Sequence, residues 1–141
     1  MDPSPPFHIT LDPAHDLICV KVLNLHIDTQ AVVDAGVLML EAALRTLARP
    51  AYVLVDISGL TIAPRMYTYL VARARLPSMG MHGMVVFSSQ PNRLTELLLH
   101  LGTEYFGMPY VHCPDAACAY AQIALWRAAA HAAGDDKPQG G

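Results

Sequence analysis

Ala51-Tyr52-Val53-Leu54-Val55-Asp56 is an uninterrupted apolar run of strand length, closed by a carboxylate. A strand with one wet face alternates apolar and polar residues. A run without alternation suits a strand covered on both faces, as central parallel strands are. Helical signals flank this run. Upstream, Asp28 or Thr29 can cap a helix that Arg49-Pro50 ends; downstream, Pro64 takes a favoured first helical position and Pro77 follows Leu76. A strand set between two helices calls for right-handed crossovers and parallel neighbours.

The same grammar extends in both directions. Met84-Val85-Val86-Phe87 reads as a second buried strand, followed by the polar turn Ser88-Ser89-Gln90. A third helix starts at Pro91 or Asn92, with Leu94, Leu97, Leu98, Leu101 and Tyr105 on its apolar face, and Gly107-Met108-Pro109 breaks it. Tyr110-Val111-His112 is a short last strand, and Pro114 to about His131 forms a final Ala-rich helix. Toward the N-terminus, Phe7–Leu11 alternates at period two and Leu17–Leu23 reads as its partner. The turn residues Asp12–Asp16 join them as an antiparallel hairpin. In the first helix Asp34 lies near the positive end and shares an exposed stripe with Glu41 and Arg45. Ile57–Ile62 reads as a loop.

The order is ββαβαβαβα. The expected fold is α/β: a mixed, mostly parallel five-stranded sheet with an antiparallel N-terminal hairpin edge and four helices. One domain over 7–132 accounts for the 141 residues, with a flexible N-terminus over 1–6 and a disordered tail over 133–141.

Composition narrows the function. Hydrophobic residues make up 53% and charged residues 15%, so the chain can fill a core with some apolar surplus. The net charge is −3 and lysine occurs only as Lys21 and Lys137, which speaks against nucleic acid, whose phosphates demand a basic excess. No uncharged run reaches the ~18 residues of a membrane span. The start, Met1-Asp2-Pro3-Ser4-Pro5-Pro6, has neither the basic nor the apolar region of a signal peptide, so a cytoplasmic location is expected. Three cysteines, an odd number, argue against a disulfide framework. His112, Cys113 and Cys118 have soft-metal ligand chemistry, but their spacing fits no common zinc motif; no metal and no cofactor is expected.

Two stretches carry a family resemblance. Val53-Leu54-Val55-Asp56-Ile57-Ser58-Gly59-Leu60-Thr61 resembles the signature strand and loop of STAS domains. Tyr110-Val111-His112-Cys113-Pro114-Asp115-Ala116-Ala117, continuing to Ala124-Leu125-Trp126, is similar to the closing strand and helix of SpoIIAA-like proteins. The resemblance spans roughly residues 7–132 and implies a regulatory or binding role. It departs from the family at one point. Regulatory STAS domains start the second helix with a phosphorylatable serine, where this chain has Ala63-Pro64-Arg65-Met66. The resemblance therefore fits the SpoIIAA-like branch, part of which is grouped with lipid-transfer domains, better than kinase-controlled partner switching.

Three segments are candidate sites. Asp56, Ser58 and Thr61 stand at the carboxyl end of a central strand, where open α/β sheets place ligands; they either bind one or organise the turn around Gly59. Arg93, at a strand-to-helix junction, either helps hold an anion or accompanies a simple helix cap. The second helix brings Arg65, Met66, Tyr67, Leu70 and Arg73, followed by Gly80 and Gly83 with their hinge freedom. It is either a lid over an apolar ligand with an acidic head or a fixed amphipathic helix. The expected function is non-catalytic recognition of a partner protein or an apolar acidic small molecule. A small enzyme using strand-end residues near Asp56 is the second reading, and a structural homodimer the third.

Overall fold

The computed structural model describes residues 7–12, 14, 16–22, 25–47, 50–78, 80–88, 93, 97, 100, 101, 104, 107 and 109–135. Among the described residues seven strands are defined: β1 (Phe7–Asp12), β2 (Leu17–Val22), β3 (Leu25–Ile27), β4 (Ala51–Asp56), β5 (Leu60–Ile62), β6 (Met81–Phe87) and β7 (Tyr110–Cys113). Three helices are defined end to end: α1 (Gln30–Leu47), α2 (Tyr67–Ser78) and α3 (Ala116–Asp135). The helix expected from Pro91 to Tyr105 falls largely outside the described residues; within it Arg93, Leu97, His100, Leu101 and Glu104 are helical.

The main sheet has the order β1-β2-β4-β6-β7. β1 and β2 are antiparallel, and every later pairing is parallel. This is the expected hairpin edge on a parallel sheet. In its connecting turn Asp16 adopts φ 51°, a left-handed conformation that aspartate tolerates better than most residues. The Asp16 carbonyl accepts a hydrogen bond from the Tyr52 amide at 2.8 Å, which ties the turn to the start of β4.

The apolar run Ala51–Asp56 divides its side chains between two cores. Val53 packs with Ile18, Ala43 and Leu47 beneath α1. Tyr52 and Leu54 pack with Leu17, Val85, Cys113 and Ile123 beneath α3. Helices on both faces are the physical reason the run shows no alternation. The helix starts follow their caps. Thr29 Oγ1 accepts from the Val32 amide at 3.3 Å, and Asp115 Oδ1 accepts from the Cys118 amide at 2.8 Å.

Four local expectations are corrected. Ile57–Ile62 is not simply a loop, because Leu60–Ile62 forms β5 and pairs in parallel with β3 as a separate two-stranded ribbon. The second helix opens with a 3-10 turn at Pro64–Met66 and continues past Pro77 to Ser78. The fixed φ of a proline is compatible with a final helical turn. β6 begins at Met81, so Gly83 lies within a strand and not in a hinge. The last helix starts at Ala116 and runs to Asp135, beyond His131 and into the segment expected to be a disordered tail.

Candidate apolar binding site

Tyr67, Leu70, Val71 and Ala74 of α2 recur at the i, i+3, i+4, i+7 spacing of one helical face. That face does not close onto the sheet. It forms one wall of a cavity of about 200 Å³. Val33, Gly36, Val37 and Leu40 of α1 supply a second wall, and Val20, Val53, Val55 and Met84 of the main sheet supply the floor. Ile57, Leu60 and Ile62, on and beside the β3–β5 ribbon, close one end. Gly36 lets the Phe7 ring approach closely: a Cβ there would stand 2.8 Å from Phe7 Cζ, and the ring tip would have to shift to admit it.

The packing around the cavity is uneven. α1 buries Val33, Val37, Ala43 and Leu47, whereas no described side chain of α2 is fully buried. Interiors normally pack as densely as organic crystals. A molecule that filled the space would cover apolar wall that the chain itself leaves uncovered.

Polar contacts tie α2 to α1. The Tyr69 hydroxyl donates to Asp34 Oδ1 at 2.6 Å, and Arg73 Nε donates to the same oxygen at 2.9 Å. The Tyr69 hydrogen bond, followed by Arg73, holds the Asp34 carboxyl below the usual carboxylate range against the opposing effect of desolvation. The same bond and partial desolvation push the Tyr69 phenol up. Asp34 and Arg73 keep 41% and 36% side-chain exposure, so water screens the pair and it serves as a weak latch. Arg65 Nη2 donates to the Asp28 carbonyl at 2.9 Å, a second fastening at the α1 start.

The residues singled out in sequence therefore separate. Tyr67 and Leu70 line the cavity. Met66 is buried in the adjoining core. Arg65 binds the Asp28 carbonyl just before α1, and Arg73 binds Asp34 of α1. Asp56 Oδ1 accepts from the Ser58 amide at 3.0 Å and from the Ser58 hydroxyl at 2.6 Å, which organises the turn before β5. Thr61 is exposed on β5, with Oγ1 hydrogen-bonded to His26 Nδ1 at 2.6 Å. Arg93 is exposed, while Ser89 to Asn92, the rest of that candidate anion site, lie outside the described residues. Polar residues of the segment 56–61 drew attention in sequence, yet its apolar members Ile57 and Leu60 reach the cavity. Their alternation with Ser58, Gly59 and Thr61 was the available signal.

On the opposite face of the sheet the described aromatic side chains are in contact. The Tyr52 and Trp126 rings stack with centroids 6.0 Å apart, and Arg127 Cζ sits 5.5 Å from the Tyr52 centroid. A Cβ on Gly83 would stand 2.9 Å from Trp126 Cζ3. Burial and the neighbouring Cys118 push the Cys113 thiol up to about 11, as suits an inert packed thiol. Among the described residues no helix is long and apolar enough to cross a membrane. Comparisons with family models, curated proteins and solved structures find no match to this chain.

Proposed function

We propose that this chain is a non-catalytic binding module of the STAS/SpoIIAA-like type that receives an apolar molecule between the α1–α2 pair and the sheet. The cavity of about 200 Å³, walled by Tyr67, Leu70, Val71 and Ala74, carries this reading. Binding sites are concave and mostly apolar, and they are usually largely formed before the ligand arrives. A hairpin edge followed by alternating helices and parallel strands is the coarse order that the proposed resemblance implies. Three free cysteines suit action in a reducing compartment such as the cytoplasm.

Asp56 and Ser58, the residues a strand-end enzyme would use, satisfy each other within their turn. That favours recognition over turnover. A SpoIIAA-like module without the phospho-switch serine would change state through occupancy of the cavity, and the α2 surface that a partner protein reads would change with it. Native mass spectrometry of freshly purified protein tests the proposal. An apolar molecule released on denaturation, together with its loss from an Ala74→Leu variant, is the expected result. A clean apo mass that no added hydrocarbon shifts would reject the carrier reading and direct the search to partner proteins or a homodimer.

A further inference from the structure

Resting on the binding reading above, we infer that the cavity takes a compact, uncharged hydrocarbon-like molecule, somewhat larger than benzene, in preference to the same scaffold bearing a carboxylate. The lining chemistry supports this first. Among the lining side chains the heteroatoms are the Tyr67 hydroxyl and the sulfurs of Met81 and Met84. A carboxylate placed among them would lose its hydration without a compensating ion pair.

The nearby cations do not change that outcome. Arg73 and Arg65 are absent from the cavity wall and donate to Asp34 and to the Asp28 carbonyl. An acidic head reaching for Arg73 would compete with the Asp34 carboxylate already there and be repelled by it.

Size and stiffness narrow the class further. Apolar cavities of ~150 Å³ stay dry and accept benzene, whereas drug-sized ligands occupy ~300 Å³ or more. At about 200 Å³ this cavity lies between them. Valines such as Val37, Val53, Val55 and Val71 dominate the wall, and β-branched side chains are stiff at χ1. Such side chains have few alternative rotamers with which to accommodate a long acyl chain. Met81 and Met84 supply the adaptable part.

Two probes of one scaffold test the class on the full chain: n-propylbenzene and 3-phenylpropionate, each titrated at pH 7 by calorimetry and ligand-observed NMR. Saturable binding of n-propylbenzene, at least tenfold tighter than 3-phenylpropionate, is expected. Ala74→Leu, or the milder Ala74→Val if the first folds poorly, should weaken it at least tenfold. Ala72→Leu, on the exposed side of α2, should leave it unchanged. Equal or tighter binding of the acid would overturn the uncharged class while leaving the binding reading intact. Saturation by neither probe would overturn both.

Discussion

One sheet supports two unlike faces. Beneath α3 large rings meet the sheet, with Tyr52 stacked on Trp126 and Trp126 set against Gly83 so closely that a Cβ would collide with it. Beneath α1 and α2 the side chains are mostly valine, leucine and isoleucine, and they leave about 200 Å³ unfilled. The same strands supply both faces, so the difference comes from the helices. α3 brings a large aromatic ring into contact with the sheet. α2 brings Leu70, Val71 and Ala74, which are too small to bridge the gap, and holds its position through polar contacts to α1. Both faces bury core residues, but only the α1–α2 side also leaves an apolar opening among the described residues.

Truncation should separate the faces most clearly. Trp126→Ala removes a half-buried ring and is expected to cost about 3 kcal/mol, read from the denaturant midpoint. On the same face Gly83→Ala should cost about 2 kcal/mol, because Trp126 must shift to admit the new methyl. Across the sheet, Leu70→Ala should cost only about 1 kcal/mol, since Leu70 already borders open space. A loss as large as that of Trp126→Ala would erase the distinction between the faces. Ala74→Leu should be neutral, or stabilising by up to ~1 kcal/mol, because it fills space instead of overpacking it.

The smallest expected effect is a pH dependence of the latch. The lowered pKa of Asp34 means its contribution is complete above the ordinary carboxylate value and fades as pH falls through the depressed folded value, below about pH 4. The raised pKa of Tyr69 gives the opposite limb, complete below its ordinary value and lost as pH climbs through the raised one, above about pH 10. Stability profiles of the chain and of Asp34→Asn should differ between these limits and converge in acid. Parallel profiles throughout would remove the latch.

Much of the architecture was legible in the sequence. Ala51–Asp56 announced a strand covered on both faces, and Asp12–Asp16 announced the hairpin. The β3–β5 ribbon was not legible, because its strands are three residues each and pair in parallel with α1 and β4 between them in the chain. The spacing of Tyr67 and Leu70 placed them on one helical face, but the gap beneath depends on what three other elements bring to it. Arg65 and Arg73 read in sequence as partners for an acidic ligand head, because the groups they bind lie 37 and 39 residues away in the chain. Nor does spacing reveal that Gly83 is a seat for Trp126 instead of a hinge.

Backbone amide hydrogen exchange of the full chain, with and without saturating n-propylbenzene, tests the central claim most directly. In the free protein, α2 amides should exchange faster than those of α3 and β4. Adding n-propylbenzene should slow α2 selectively while leaving α3 unchanged. An α2 as protected as β4 in the free protein, and indifferent to the hydrocarbon, would contradict the account of a receptive face.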